Sequence, residues 1–218
     1  MEEHQTIPIK IITVGAMNVG KTSLVTRYAT GKHPGETKTT KNASYVTKHK
    51  KINNLNFEIR LWDTAGQEKY KSLTKLFIKE SKIAILVYSI DNEKSFNDLD
   101  DWLNLVKSSN DENLIIGIAA NKSDLASENT INEERGREYA KKIGAEWKST
   151  SAILENKNGI EEFIDELFQK YYSTNFNIND QTQSLTLSNM EDSRQKKGGC
   201  CGGGNGNVNA NKKSPKNK

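Results

Sequence analysis

Gly15-Ala16-Met17-Asn18-Val19-Gly20-Lys21-Thr22 fits the spacing G-x-x-x-x-G-K-[ST]. Its flanks give the match its meaning. The run Ile7 to Val14 reads as a buried strand, and Ser23 to Ala29 reads as a helix. A strand, a glycine-bounded loop and a helix N-terminus make an anion site, because backbone N–H groups and the positive end of the helix dipole face one point. The expected phosphate contacts are therefore Gly15, Asn18, Val19, Gly20, Lys21, Thr22 and Ser23. Lys21 would lie along the β- and γ-phosphates, and the Thr22 hydroxyl would complete the shell of a Mg²⁺ ion. A chance match on a loose loop would lack these flanks.

Further along the chain, strand-like runs alternate with helical patterns. The strands are read at Ile9 to Val14, Ser44 to Ile52, Phe57 to Asp63, Ile83 to Ser89, Leu114 to Ala120 and Glu146 to Ser149. Asn53-Asn54 is the expected turn of a hairpin between the second and third. Ile83 to Tyr88 and Leu114 to Ala119 are almost continuously apolar, as strands covered on both faces must be. Helical spacing runs through Phe96, Leu99, Trp102, Leu103 and Val106, and again through Ile160, Phe163, Ile164, Leu167, Phe168 and Tyr171. These stripes read as core. The whole is an α/β domain with a six-stranded, mostly parallel sheet flanked by helices, whose ligand crevice lies beyond the C-terminal ends of the strands.

Each remaining motif falls at such an end. Residues 30 to 42 lack apolar periodicity and read as a mobile loop. The third strand runs into Trp62-Asp63-Thr64-Ala65-Gly66-Gln67-Glu68. A carboxylate there can hold a magnesium shell, directly or through water. Gly66 lets a backbone N–H approach the terminal phosphate, and Gln67 can orient a water. After the fifth strand comes Asn121-Lys122-Ser123-Asp124. The Asp124 carboxylate can accept from both N1–H and the exocyclic amine of guanine, a donor pair that adenine lacks. Asn121 would brace the loops and the Lys122 stem would pack on the base. Ser149-Thr150-Ser151-Ala152 can offer N–H groups to the base carbonyl. A polar turn alone would explain Asn121 to Asp124, but not together with the other motifs.

Charge sharpens the division of the chain. Its 218 residues carry 32 basic and 28 acidic side chains, and residues 174–218 hold seven and three of them, so the whole net charge of +4 lies in that segment. A neutral body with a basic tail points to a surface-seeking extension and away from a nucleic-acid-binding domain. The tail is rich in Asn, Gln, Ser, Thr and Gly and reads as disordered. No long apolar run and no signal-peptide pattern is present, so a cytoplasmic, non-spanning protein is expected. Cys200 and Cys201 are the only cysteines, adjacent in the tail, where a structural disulfide would be strained.

With these blocks in order, residues 7–173 resemble the Ras superfamily of small GTPases, and within it the Rab family. Trp62 before Asp-Thr-Ala-Gly-Gln-Glu and the run Lys-Lys-Gly-Gly-Cys-Cys at 196–201 carry the second resemblance. It implies a P-loop small-GTPase domain preceded by a short extension, 1–6, and followed by a hypervariable tail, 174–218. It implies Mg²⁺ held by Thr22, Thr40 and Asp63, GTP or GDP as ligand, and Gln67 as the catalytic residue. Gly66, Asn121, Lys122, Asp124, Ser151, Ala152, Ile153 and His33 fall on nucleotide-contact positions. Tyr45, Trp62 and Phe77 fall on the three aromatic positions that effectors touch. The implied partners are an exchange factor, an activating protein and effectors. The implied setting is the cytosolic face of an endomembrane, with the chain itself a monomer. Cys200 and Cys201 would carry prenyl groups, and two lipid chains anchor where one is marginal.

Several positions depart from that pattern. Met17 stands beside the γ-phosphate where a small residue is usual. His33 replaces a phenylalanine that stacks on guanine, and Ile153 replaces a lysine whose stem covers the base. Lys41-Asn42-Ala43-Ser44-Tyr45 and Leu76-Phe77-Ile78-Lys79-Glu80 replace the usual switch sequences. Seventeen residues, Gly202 to Lys218, follow a cysteine pair that in the family ends the chain or nearly so. Lys212, Lys213, Lys216 and Lys218 would each add roughly 1 kcal/mol at an anionic surface. The expected activity is GTP hydrolysis, slow without an activating protein because no arginine is evident in cis. Bound GTP would order 30–45 and 63–80 in a switch serving vesicle traffic. The rival readings are a poorly hydrolysing, GTP-bound scaffold, suggested by Met17, and a P-loop phosphotransferase, which Asp124 and the lack of an acceptor domain oppose.

Overall fold

The computed structural model describes residues 6–32, 35, 39–40, 42–66, 71–110, 114–127, 130–155 and 159–176, with 71–72 described for their backbone only. All of them belong to the unit Met1–Phe176. Six strands, β1 Thr6–Val14, β2 Ser44–Ile52, β3 Leu55–Asp63, β4 Ile83–Ser89, β5 Ile115–Asn121 and β6 Glu146–Ser149, form one sheet in the order β2-β3-β1-β4-β5-β6. Only β2, joined to β3 by the Asn53-Asn54 turn, runs antiparallel; Asn53 takes a positive φ of 52° there. The α/β architecture read from the sequence is thus present, with β1 and β3 each starting two or three residues early.

Side chains alternate along the central strands and build a core on each face. Ile9, Ile11, Ile83, Ile85 and Val87 pack with α1 (Lys21–Thr30) and α6 (Ile160–Phe176). Ile12, Val14, Ala84, Leu86 and Tyr88 pack with α2 (Lys71–Ile78), α3 (Glu93–Asn97), α4 (Leu99–Ser109) and α5 (Glu133–Ile143). At Gly117 of β5 a Cβ would lie 2.7 Å from Leu167 and 2.8 Å from Phe163, so glycine lets α6 lie close on the sheet.

Two features differ from the periodicity. The stripe beginning at Phe96 is split between α3 and α4 at Asp98, although Trp102 N still donates to Asp98 O at 3.2 Å. The helices α2 and α5 carry no stripe that sequence reading singled out. Among α5's residues only Gly136 and Ala140 are buried. Half-buried Tyr139 and Ile143 extend that face onto the core, and arginines add to it at the rim: Arg137 lies 4.1 Å over the Trp147 ring and Arg135 4.5 Å over Phe96. Its ends were legible, with Asn132 accepting from Arg135 N, acidic residues in the first turn and Gly144 at the close.

Candidate functional site

The phosphate loop sits between the end of β1 and the start of α1. Gly20 takes φ 94°, and a Cβ there would lie 2.3 Å from Asn121 Nδ2, so the loop's sharpest position needs glycine twice over. Asn18 is also left-handed, at φ 63°. Lys21 is buried, and its Nζ donates to the carbonyls of Gly15 (2.9 Å) and Ala16 (2.8 Å). Burial pulls this ammonium down to about 8, against an opposing pull from Asp63. An anion beside it would favour the charged form and raise it again. Gly66 meets this lysine from the other side: a Cβ there would lie 2.3 Å from Nζ and 2.5 Å from Ala16 O.

A hydroxyl–carboxylate cluster stands next to the lysine. Thr22 Oγ1 donates to Asp63 Oδ2 at 2.7 Å, Thr40 Oγ1 donates to the same oxygen at 3.3 Å, and the two hydroxyls are 2.7 Å apart. Asp63 is 3% exposed, and its Oδ1 is buried without a hydrogen-bond partner among the described residues. Burial pushes its carboxyl above the usual range, with Thr22, Lys21 and Thr40 pulling back. An orphaned carboxylate oxygen beside two hydroxyls is a hard-oxygen set, and it fits Mg²⁺. Thr64 belongs to the scaffold instead. Its hydroxyl donates to Thr13 O, and that of Thr13 to Trp62 O, tying the ends of β1 and β3 together.

A cleft of about 200 Å³ opens here, walled by Met17, Asn18, Gly20 to Ser23, Thr39, Thr40, Thr64, Gly66 and Lys122. Asn121, buried after β5, donates from Nδ2 to Val19 O at 2.7 Å and accepts from Thr150 Oγ1 at 3.3 Å. It joins the phosphate loop to the loop after β6. Lys122 is left-handed at φ 63°, with Nζ 3.7 Å from Asp91 Oδ1, and Asp91 in turn accepts from the Ser89 hydroxyl. The Ser151 hydroxyl donates to Asp124 and accepts from the N–H groups of Ile153 (3.1 Å) and Leu154 (3.3 Å). Ser151 and Ala152 are buried, while Ile153 is exposed.

Gly15, Gly20, Lys21, Thr22, Thr40, Asp63, Gly66 and Asn121 are brought together, with Asp124 and Ser151 paired at the far end. His33, Gln67, Cys200 and Cys201 lie outside the described residues. Tyr45 on β2, Trp62 on β3 and Phe77 on α2 form a row, with ring centres 4.7 and 5.8 Å apart. Three residues went unnoticed. Asp91 and Thr13 gave no local signal. Arg27 is a lone cation amid the apolar positions Leu24, Val25 and Tyr28 of α1, a pattern that could have marked it as buried.

The chain matches the Ras family over residues 10–173. It is 36% identical over 160 residues to Ras-related protein Rab-21 of Geodia cydonium, covering 73% of this chain and 69% of that one. It is 33% identical over 180 residues to Ras-related protein Rab-11B of Dictyostelium discoideum, covering 83% and 80%. With Ras-related protein RABA1b of Arabidopsis thaliana it shares 30% over 174 residues, 80% of each chain.

Proposed function

This chain belongs to the Ras family as a divergent Rab-type small GTPase, and on that premise we propose that it cycles between GTP and GDP by hydrolysing GTP. The observation that carries the reading is the Thr22–Thr40–Asp63 cluster. Thr40 comes from a loop, and its hydroxyl meets the helix residue and the strand-end carboxylate at the mouth of the phosphate cleft. Lys21 and the N–H groups of the phosphate loop hold the β- and γ-phosphates. Thr22, Thr40 and Asp63 hold Mg²⁺, which when bound neutralises charge gathering on the phosphate oxygens. Gln67 orients the attacking water. Among the described residues no arginine walls the cleft, so an activating protein supplies one, and hydrolysis without it is slow. Loss of the γ-phosphate loosens Thr40 and its loop, and effectors reading Tyr45, Trp62 and Phe77 leave.

Single-turnover hydrolysis of GTP and ATP, with Mg²⁺ and after its chelation, tests the reading. Slow, Mg²⁺-dependent release of phosphate from GTP alone is expected. Failure to bind GTP, or equal use of ATP, would overturn it. Met17 favours a second reading, a largely GTP-bound scaffold, because its side chain is 43% exposed yet lines the cleft.

The site of action is the cytosolic face of an endomembrane, in vesicle traffic. Among the described residues no helix is long and apolar enough to cross a membrane. Anchoring falls to Cys200 and Cys201, which carry seventeen residues after them. Mass spectrometry of the chain from its own membranes is expected to find prenyl groups only together with loss of those residues. Two prenyl groups on a chain that keeps Gly202 to Lys218 would refute this.

A further inference from the structure

Arg27 is 6% exposed, an arginine folded into the interior of the nucleotide lobe. It lies on α1, six residues beyond Lys21 and in the helix's last turn, where the negative end of the dipole favours a cation. Its Nη2 donates to the backbone carbonyls of Leu154 at 2.9 Å and Glu155 at 3.0 Å, 127 and 128 residues further along the chain. Burying a guanidinium is costly unless its donors are used, so this arrangement has a purpose in the loop it reaches.

The described side chains at its start lie mostly outside the core. Ile153 is 57% and Leu154 39% exposed, so neither side chain anchors it in the core. Leu154 is instead held through its backbone from both ends. Its carbonyl accepts from Arg27, and its N–H donates to Ser151 Oγ. The same Ser151 hydroxyl donates to the Asp124 carboxylate. A continuous path therefore runs from Arg27 through Leu154 and Ser151 to Asp124. It starts on the helix whose first turn contains Lys21 and Thr22, so one rigid element carries both the phosphate contacts and the tether of the base loop.

We propose that Arg27 is a positioning residue for guanine selectivity, setting the Ser151 turn, and through it the Asp124 carboxylate, against the base. The inference rests on the guanine-nucleotide reading above and deepens it. Arg27 touches no nucleotide; it acts by fixing where Ser151 donates. Without it, Leu154 keeps among the described hydrogen bonds only the one from its N–H to Ser151. Asp124 then loses the donor that orients it and accepts less well from the two donors of guanine.

The test compares GDP with inosine diphosphate, which keeps N1–H and the base carbonyl but lacks the exocyclic amine. A merely structural role weakens both nucleotides by one factor. A positioning role weakens GDP more, because only GDP uses both oxygens of a correctly turned Asp124. For Arg27→Met, GDP affinity is expected to fall about tenfold, the scale of one lost charge-assisted hydrogen bond, with the GDP-to-IDP preference narrowing severalfold. Arg27→Lys, which keeps a cation but not the fork of donors, should fall between the two and serves if the methionine variant does not fold. Leu167→Val, which loosens α6 against Gly117 far from the base, should lower Tm and leave the preference unchanged. A wild-type preference in Arg27→Lys and in any folded Arg27→Met, or the same narrowing in Leu167→Val, would overturn the proposal. A wild-type chain that does not favour GDP over ADP would instead overturn the guanine-nucleotide reading itself, so the two failures are distinguishable.

Discussion

Asp124→Asn is expected to turn the chain from guanine toward xanthine nucleotides. Guanine presents two donors, N1–H and the exocyclic amine, to a carboxylate that accepts at both oxygens. Xanthine puts a carbonyl where the amine was. An asparagine amide meets that pair with one acceptor and one donor, while against guanine its NH₂ faces the exocyclic amine, donor to donor. The Ser151 hydroxyl, which donates to Asp124, can still donate to the amide oxygen, so the turn around it survives. Each mismatched polar group in a desolvated site costs about 1–3 kcal/mol, and two of them make a preference change on the order of a thousandfold. Competition of GDP against xanthosine diphosphate, on wild type and variant, measures it. A variant that still prefers GDP would remove Asp124 from base recognition.

Met17→Gly is expected to speed hydrolysis by about a hundredfold while leaving GTP affinity nearly unchanged. Phosphoryl transfer asks mainly for positioning and charge stabilisation: a water held in line by Gln67, and an arginine brought from outside. The side chain of Met17 shares the cleft with Lys21, Thr40 and Gly66. A thioether in that volume displaces the water or the incoming arginine, and a misplacement of about an ångström costs roughly a hundredfold, or about 2.7 kcal/mol of barrier. Binding is spared because backbone N–H groups hold the phosphates and residue 17 keeps its own. The flexibility of methionine works against the effect, so the size of the rate change reports how firmly the side chain stays in place. Single-turnover rates with and without an activating protein measure it. Unchanged rates in both conditions would dismiss the steric account and leave an ordinary cycling switch.

Much of the site could be read because its chemistry is written in short spacings. A glycine-bounded loop ahead of Lys21 and Thr22, Asp63 at a strand end and the run Asn121 to Asp124 each span fewer than ten residues. Strands β4 and β5 were equally plain, since burial on both faces forces a continuous apolar run. The helix α5 escaped notice for the converse reason. Its inner face is Gly136, Tyr139, Ala140 and Ile143, which keep helical spacing but include two residues too small and one too polar to stand out among the charged side chains around them.

The sequence by itself determined the fold class and set the glycine-bounded loop before Lys21, Asp63 and the Asn121 to Asp124 run at strand ends, because local backbone preference and hydrophobic period act within one element. Which of these residues touch was decided only by tertiary structure. Parallel pairing of β1 with β3 and β4 puts Thr22 2.7 Å from Asp63, 41 positions away, and brings Asn121 to Val19, 102 positions away. The same packing buries Arg27 and aims it at carbonyls of a loop that no local signal connects to α1. Hydrogen bonds of this kind depend on distance and direction in space, and the order of residues along the chain does not encode either until the sheet has formed.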